Sequence, residues 1–401
     1  MNVEQPRLGK RGTLFLLIIL GAFPPLTMDL YLPALPKMAD TFSTSHAMIN
    51  MTLGAYMVTF ALGMLFWGPL SEKTGRKPIL FAALSIYIAS SLLCALSNTV
   101  EALITFRVFQ GLAGGGITVV GTSIVKDLFD GREREKVMAT VMSLVVIAPM
   151  VAPVLGAFLL KVASWHALFV VLALFACFAA ALVSLYHETV VEKSTTPLLK
   201  SWNRLGVVLK NPNFAYLLLL FSMVPMCLMS FLAIASYVYI DDFGMTEQAF
   251  SFIFAFNAAC ASFGPMIYLR VSRFIPVQTV ILGCFSMIII GGIVMLSVGS
   301  HSLWIFAATA AAVTLSVIIV RVPGANLLLD QQDKDTGSAA ALIQFSGTMM
   351  GAAAVQIVSA NSHDLIRNYG ILLVIIGTTC ATLWWIAKSR PFVTENLPAR
   401  E

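Results

Sequence analysis

The stretch Gly68-Pro69-Leu70-Ser71-Glu72-Lys73-Thr74-Gly75-Arg76-Lys77 decides the fold of this 401-residue chain. It is short and basic, it contains two glycines, and long apolar segments precede and follow it. Glycine permits a tight turn, and the anionic inner leaflet of a membrane attracts basic side chains such as Arg76 and Lys77. The stretch therefore predicts a cytoplasmic turn between two membrane-spanning helices.

The composition also indicates a membrane protein. Hydrophobic residues make up 58% of the chain and charged residues only 11%, whereas soluble domains contain about 25% charged residues. A helix needs about 20 apolar residues to cross a bilayer. Such segments occur near residues 12–35, 46–67, 78–98, 102–124, 136–160, 164–186, 213–239, 247–269, 276–298, 303–328, 338–360 and 367–388. We therefore predict an all-α membrane protein with twelve transmembrane helices.

The basic residues assign the orientation. An even number of spans puts both termini on one side, and positively charged loops favour the cytoplasm. With a cytoplasmic amino terminus, the inner loops and tails contain 20 of the 25 lysine and arginine residues, and only Lys37, Lys161 and Arg367 lie in outer loops. The net charge of +5 then reflects topology, and we expect no nucleic-acid partner. The first apolar run is too long for a secretory signal and contains Asp29, so we interpret it as a retained helix.

The longest polar interruption follows the sixth span. It predicts an amino-terminal six-helix bundle over residues 1–190, a cytoplasmic linker over 191–212 and a carboxy-terminal six-helix bundle over 213–401. Transporters built from two such halves bind their substrate near the middle of the membrane, between the halves. The segment from Gly264 to Arg273 resembles a degenerate copy of the stretch from Gly68 to Lys77, which is consistent with two related halves.

The opening stretch matches the pattern G-x-L-[SA]-[DE]-[RK]-x-G-R-[RK], which marks the turn between helices two and three in the major facilitator superfamily. We expect Glu72 to accept hydrogen bonds from arginines or from a helix amino terminus. A charge cluster that forms and breaks can control access to a binding site. The predicted gating residues of this stretch are Gly68, Glu72, Gly75, Arg76 and Lys77. The alternative is a basic loop that only sets the orientation.

Two charged residues inside predicted spans are candidates for proton coupling. Asp29 is the only acidic residue well inside a span, and Arg107 lies in the fourth span. A charge in the membrane costs about 2.5–3.5 kcal/mol on insertion scales, so each needs a function or a partner. Both lie about 8 Å from the outer boundary at about 1.5 Å per residue, so they could pair or communicate. Alternatively, Asp29 caps a broken helix near Pro33 or forms a static ion pair. Arg321, in the tenth span, either lines a cavity or reaches the inner surface.

The fifth span contains Ala148-Pro149 and Ala152-Pro153-Val154-Leu155-Gly156. This resembles the antiporter helix of drug exporters, although alanine replaces glycine before each proline. Prolines favour a kinked helix. We therefore add Pro149, Pro153 and Gly156 to the predicted gating residues, with plain structural packing as the alternative.

The candidate substrate-binding residues are apolar or neutral, apart from Asp29. Met226 and Met229 recur at helical spacing in the seventh span, and flexible thioethers suit a pocket for varied apolar molecules. Tyr56, Asn257 and Gln344 are isolated polar residues inside spans and could hydrogen-bond a substrate. Helix packing for the methionines and interhelical hydrogen bonds for the polar residues are the alternatives. All six cysteines lie inside predicted spans, so we expect neither a disulfide nor a metal site.

The run from Asp29 to Pro36, the stretch from Gly68 to Pro78, the segment Arg107–Gly111 and the segment from Ser123 to Lys136 together resemble the Bcr/CflA branch of the major facilitator drug:proton antiporters. The resemblance covers nearly all of the first half and is faint in the second. It implies a monomeric bacterial inner-membrane exporter in which Asp29 and Arg107 occupy the positions of the family's helix-one carboxylate and helix-four arginine. Substrates of that branch include chloramphenicol-like drugs, bicyclomycin, sulfonamides, and small peptides or amino acids.

The sequence contains neither an ATP-binding G-x-x-x-x-G-K-[ST] loop nor a catalytic motif. We therefore expect no cofactor and no enzymatic activity, and we expect an ion gradient to supply the energy. The rival functions are a dedicated metabolite exporter or an importer on the same scaffold. A non-transporting membrane sensor is a further alternative, although it would be expected to carry an added soluble domain.

Overall fold

The computed structural model describes residues 3–190, 205–332, 336–360 and 364–394. These residues form helices and no β-strand, which confirms the predicted all-α class. Residues 191–204 of the predicted linker lie outside the described residues. The same holds for five of the inner basic residues counted above, namely Lys193, Lys200, Arg204, Lys334 and Arg400.

Contacts between Cα atoms divide the chain into two compact units. The first comprises Met1–Thr44 and Met51–Trp202, and the second comprises Ser45–Asn50 and Asn203–Glu401. The first turn of the second predicted span is therefore grouped with the second unit. The predicted division into bundles at 1–190 and 213–401 stays a prediction.

The helices of the first half are α1 (Gly9–Gly21), α2 (Phe23–Asp29), α3 (Leu35–Thr41), α4 (His46–Thr74), α5 (Arg76–Ala95), α6 (Val100–Leu128), α7 (Gly131–Leu159) and α8 (His166–Leu185). Those of the second half are α9 (Pro212–Tyr237), α10 (Glu247–Ser262), α11 (Gly264–Val271), α12 (Val277–Val298), α13 (Leu303–Leu329), α14 (Thr336–Ser359), α15 (Leu365–Ala387) and α16 (Pro391–Thr394). Helix α9 continues into a π-helical turn, Val238–Asp242.

Among the described residues, eleven helical runs are long and apolar enough to cross a membrane. They correspond to eleven of the predicted spans. The remaining predicted span, 136–160, is helix α7, which has 29 residues and an apolar described part at Ile147–Leu159. The structure thus supports twelve transmembrane helices.

Corresponding helices pack together within each unit. Helices α1 and α2, which form the first span, contact α7 of the fifth span, and α9 of the seventh span contacts α14 of the eleventh. Likewise, α5 contacts α8 in the first half, and α12 contacts α15 in the second. The same pairs of spans meet in both halves, as expected for an internally repeated fold.

The stretch from Gly68 to Lys77 is helical almost throughout, which corrects the prediction that these ten residues form the turn between two helices. Helix α4 runs to Thr74, α5 begins at Arg76, and Gly75 alone separates them. Gly75 has φ 114° and ψ 156°, a conformation that side chains rarely adopt, so a single glycine reverses the chain. The predicted span ends at residue 67, whereas α4 continues to Thr74 through residues that are less apolar.

The first span is broken on the carboxyl side of Asp29. Helix α2 ends at Asp29, and a 3₁₀ turn, Leu32–Ala34, precedes α3. Pro33 lacks an N–H group, so it cannot donate to the carbonyl of Asp29. The N–H of Ala34 donates to the Tyr31 carbonyl (2.9 Å), so Leu30 also loses its α-helical donor. The break therefore leaves two backbone carbonyls without helical partners beside the carboxylate.

Candidate functional site

Asp29 is buried at the break, with 4% of its surface exposed. No side-chain hydrogen bond or ion pair joins it to another described residue. It does not cap the helices that follow, because neither the 3₁₀ turn nor α3 has a side-chain cap. Of the alternatives raised by the sequence, neither a cap nor a static ion pair is present in the described part of the chain.

Arg107 of α6 is fully buried and is bound by neutral acceptors. Its Nη1 donates to Gln110 Oε1 (2.7 Å) and to the Thr27 carbonyl (3.3 Å). Its Nη2 donates to the Tyr31 hydroxyl (3.2 Å), and its Nε donates to the Thr52 carbonyl (3.3 Å). The guanidinium thus donates to acceptors on α2, on the break that follows it, on α4 and on α6 itself, and it meets no described carboxylate.

Aromatic rings enclose the same guanidinium. Its central carbon lies 4.6 Å from the ring centre of Tyr31 and 4.6 Å from that of Tyr56, and Phe169 follows at 5.9 Å. The negative face of an aromatic ring attracts a cation, and more strongly where water is excluded. These rings therefore stabilise a positive charge that would otherwise be costly at this depth.

Arg107 and Asp29 form no ion pair in this structure, but Arg107 binds the backbone carbonyl of Thr27 and the side-chain hydroxyl of Tyr31. Its contacts Thr27 and Tyr31 are the residues two before and two after Asp29. The arginine therefore holds the end of α2 and the start of the break. Communication between Asp29 and Arg107 stays a prediction, with a defined physical route.

A chain of polar groups extends from Arg107 through the interior of the first unit. Gln110 Nε2 donates to Ser91 Oγ (2.7 Å), and Ser91 Oγ donates to the Tyr87 carbonyl (2.7 Å). The Tyr87 hydroxyl is hydrogen-bonded to the Thr27 hydroxyl, which donates to the Phe23 carbonyl (2.6 Å). The sequence did not predict these hydrogen-bond partners. Gln110 alone had a visible signal, since it lies one helical turn after Arg107.

Tyr56 is 1% exposed and belongs to the Arg107 cluster, where its ring lies against the guanidinium. Close packing of α4 on α6 places it there, because a β-carbon at Gly111 would lie only 2.4 Å from the Tyr56 carbonyl. In this structure Tyr56 supports the arginine from one side. A direct contact between Tyr56 and substrate stays a prediction.

The other predicted substrate-binding residues lie in the second unit. Met226 is buried and Met229 is half-buried, both on α9. Asn257 of α10 is 7% exposed and its Oδ1 has no partner within the described chain, whereas Gln344 of α14 is exposed. Their assignment to a substrate pocket stays a prediction.

The basic residues at the α4–α5 junction have partners that the sequence did not predict. Arg76 Nε donates to Asp127 Oδ2 (2.9 Å), and Arg76 Nη1 donates to Ser71 Oγ (2.6 Å). Lys77 Nζ donates to the carbonyls of Ser184 (2.9 Å) and Tyr186 (2.6 Å), at the carboxyl end of α8. A lysine there complements the partial negative charge of the helix terminus.

Glu72 does not make the contacts expected of it. It is exposed on the last turns of α4. Among the described residues, the carboxylate that binds Arg76 is Asp127, and the one at the amino terminus of α5 is Glu188. Glu72 precedes Arg76 by four residues, but it is exposed on α4, and other carboxylates occupy both positions. Gly68 lies within α4 and takes no part in the turn.

The predicted antiporter helix is α7, which contains Pro149 and Pro153 in one continuous helix. Gly156 allows α7 to approach the break in the first span. A β-carbon at this position would lie 1.9 Å from the carbonyl oxygen of Leu30. The structure therefore brings Gly156 next to the residue that follows Asp29, whereas the gating role of the two prolines stays a prediction.

Comparison with known proteins agrees with this architecture. The family model described as Major Facilitator Superfamily matches residues 17–355. A solved structure of a bacterial homologue of the human lysosomal transporter Spinster, in an inward-facing and occupied conformation, aligns with a TM-score of 0.71 and 14% identity. That alignment covers 97% of this chain and 98% of the other.

Sequence relatives include transporters and resistance proteins. The uncharacterized MFS-type transporter YdgK of Bacillus subtilis (strain 168) is 28% identical over 390 residues, which cover 94% of this chain and 95% of YdgK. The bicyclomycin resistance protein homolog of Haemophilus influenzae is 30% identical over 265 residues, or 63% of this chain and 64% of that protein. A chloramphenicol resistance protein of Pseudomonas aeruginosa is 30% identical over 246 residues, or 61% and 58%. The alignments thus span less than two thirds of each resistance protein.

Proposed function

The chain belongs to the Major Facilitator Superfamily of membrane transporters, and on this premise we propose that it is a proton-coupled antiporter that exports small amphipathic molecules or drugs by alternating access. The membership confirms the family resemblance inferred from the motifs, and the resistance proteins among its relatives support the proposed substrate class. We place the protein in the bacterial inner membrane with both termini in the cytoplasm, as the distribution of its basic residues predicts.

The single observation that carries the proposal is that Arg107 binds the residues on either side of Asp29. The guanidinium holds Thr27 and Tyr31 on either side of a buried carboxylate that has no described partner. Desolvation penalises the charged form of a carboxylate and a nearby cation favours it. A small movement of the break in the first span therefore changes the balance between binding and releasing a proton.

The electrostatic energy of an Asp29–Arg107 ion pair would supply a large part of the free energy that coupling requires. An ionised Asp29 about 4 Å from Arg107 would gain about 4 kcal/mol at an effective dielectric constant of about 20. Moving a two-state equilibrium from 1:99 to 99:1 requires about 5.5 kcal/mol. Proton release with ion pairing, together with substrate binding, can therefore shift the protein between its facing states.

In the proposed cycle, protonated Asp29 favours one facing state, and substrate binding weakens the hold on the proton. Deprotonation draws the end of α2 towards Arg107, whose bonds to Thr27 and Tyr31 then rearrange. Each step requires only that proton and substrate bind the two states with different affinity. Tyr56, Met226, Met229, Asn257 and Gln344 are proposed to contribute to substrate binding. The residues of the α4–α5 junction and of α7 are proposed to control access.

The test uses purified protein in liposomes with an imposed pH gradient. Bicyclomycin and chloramphenicol, the compounds named for the relatives, serve as probes, and substrate-dependent proton movement is measured. We expect Asp29→Asn to abolish proton movement while the probe still binds. Glu101→Gln is the matched control, because Glu101 is an exposed carboxylate in the first turn of α6.

Two results would contradict the proposal. Unchanged proton coupling in Asp29→Asn would remove that carboxylate from the mechanism. Probe movement in the same direction as protons in the wild-type protein would indicate an importer instead of an exporter.

A further inference from the structure

Helix α5 begins without a cap of its own. Its preceding residue is Gly75, which has no side chain to accept from the first N–H groups. Glu188, which lies after α8 in the sequence, supplies the missing acceptors. Its Oε1 accepts from the Arg76 N–H (3.0 Å) and its Oε2 from the Lys77 N–H (2.9 Å). A carboxylate at this position satisfies free N–H groups and interacts favourably with the helix dipole.

The same carboxylate also holds its own segment. Glu188 Oε1 accepts from the N–H groups of Thr189 (2.9 Å) and Val190 (3.0 Å). One side chain therefore receives four backbone N–H groups from two parts of the chain that are 111 or 112 residues apart. Hydrogen bonds to an ionised acceptor are about twice as strong as those between neutral groups.

Further bonds fasten the 186–190 segment on both sides of Glu188. Thr189 Oγ1 donates to Asp127 Oδ2 (3.1 Å), the oxygen that also binds Arg76, and the Tyr186 hydroxyl is hydrogen-bonded to Thr189 (2.6 Å). On the other side, Gln5 Nε2 donates to the His187 carbonyl (2.9 Å), and the His187 N–H donates to Gln5 Oε1 (2.7 Å). Three other parts of the first unit, namely Gln5, the start of α5 and Asp127 of α6, thus meet at this short segment.

The position of Glu188 also gives a second reason for glycine at the junction. A β-carbon at Gly75 would lie 2.6 Å from Glu188 Oε2, closer than non-bonded atoms approach. Gly75 therefore provides both the positive φ angle and the space for the carboxylate. The two residues form one structural unit, although the sequence separates them widely.

We propose that Glu188 is a positioning residue for the transport cycle, which caps α5 and couples the end of α8 to the junction between α4 and α5. This inference rests on the proposed gating role of that junction. When Glu188 keeps its four bonds, α5 and α8 move together at this end, so the junction changes position as one body. Without the carboxylate, the first turn of α5 opens and the change between facing states becomes slower.

Hydrogen exchange tests the structural half of the inference independently of transport. In full-length protein in detergent, we expect Glu188→Ala to raise the exchange of the Arg76 and Lys77 amides about fivefold, the ratio that corresponds to a lost helix cap. Glu188→Gln keeps the size and one acceptor oxygen and should give a smaller increase. Glu133→Gln, an exposed carboxylate paired with Lys10, is the control and should leave this peptide unchanged. Wild-type exchange in Glu188→Ala would overturn the capping role.

Transport kinetics test the functional half. In liposomes, Glu188→Ala should lower the maximal rate of bicyclomycin or chloramphenicol export while the KM and the number of protons per molecule stay unchanged. A normal maximal rate together with faster exchange would show that the cap is structural only and would overturn the positioning role. If the wild-type protein exports neither probe with protons, the proposed function fails, but the exchange experiment still decides whether Glu188 caps α5.

Discussion

Gly156 of α7 lies directly against the carbonyl oxygen of Leu30, the residue that follows Asp29. A β-carbon at position 156 would lie 1.9 Å from that oxygen, and the Ala34 N–H that an α-helix would direct to it donates to Tyr31 instead. The break in the first span is thus supported from outside by the backbone of α7. This contact joins the proposed antiporter helix to the proposed proton site.

The first prediction follows from this contact. Gly156→Ala should displace the break and impair proton-coupled transport, because backbone atoms on both sides cannot give way as a flexible side chain can. We expect a loss of about 1–3 kcal/mol in stability, as for other overpacked sites, measured as a lower melting temperature in detergent. Gly283→Ala is the matched control, since a β-carbon there meets no atom within 4 Å. Equal stability and transport in the two variants would contradict the prediction.

The second prediction concerns the shape of the cation at position 107. Arg107→Lys keeps the charge, but an ammonium cannot reproduce bonds to Gln110, Thr27, Tyr31 and Thr52 at once. We expect transport to fall at least about tenfold, equivalent to about 1.4 kcal/mol, while the protein remains folded. Flux measurements in liposomes report the effect on transport, and a thermal melt reports the effect on stability. Wild-type transport in the lysine variant would show that charge alone suffices.

The third prediction concerns the ion pair between Arg76 and Asp127. Their side chains are 8% and 22% exposed, so Asp127→Asn leaves a largely buried arginine without its counter-charge. Removing one partner of a buried pair costs about 3–5 kcal/mol, and we expect the lower part of that range because Asp127 retains contact with solvent. The free energy of unfolding and the melting temperature of the Asp127→Asn variant are compared with those of the wild-type protein.

An exposed pair provides the control for this experiment. Lys10 binds Glu133, and this hydrogen bond lowers the pKa of Glu133. A lowered pKa means that the contribution of the pair is present above the ordinary pKa of glutamate and is lost as the pH falls through the lowered value. At pH 7 the pair is therefore formed, and Glu133→Gln should still change the melting temperature little because both side chains are solvated. A similar loss of stability in Asp127→Asn and Glu133→Gln would contradict the conclusion that burial makes the Arg76–Asp127 pair the stronger one.

The fourth prediction separates gating from orientation at Glu72. This side chain is exposed and binds neither Arg76 nor the start of α5 among the described residues. Glu72→Lys should therefore leave insertion and stability intact but reduce the rate of export, because we propose that this charge acts during the transport cycle. Topology mapping and flux in the same vesicles provide the measurement. Normal export would support the alternative in which the basic stretch only sets orientation.

The helices that cross the membrane were largely predictable from the sequence. Hydropathy and charge are local properties, so the spans, the Gly68–Lys77 motif and the intramembrane charges Asp29 and Arg107 could be identified without a structure. Helix ends were less predictable, because α4 extends beyond its apolar residues to Thr74. A change from membrane to water ends the hydropathy signal but does not end a helix.

By itself, the sequence determined the class of protein and the residue types available for coupling a proton to transport. Only the tertiary structure decided which groups meet them: Arg107 contacts the backbone around Asp29, Gly156 contacts Leu30, and Glu188 caps α5 across more than a hundred residues. The physical reason is that many of these partners are backbone N–H and carbonyl groups, which every residue carries. Their choice depends on where helices pack and where a helix is broken, and no local pattern of side chains encodes that choice.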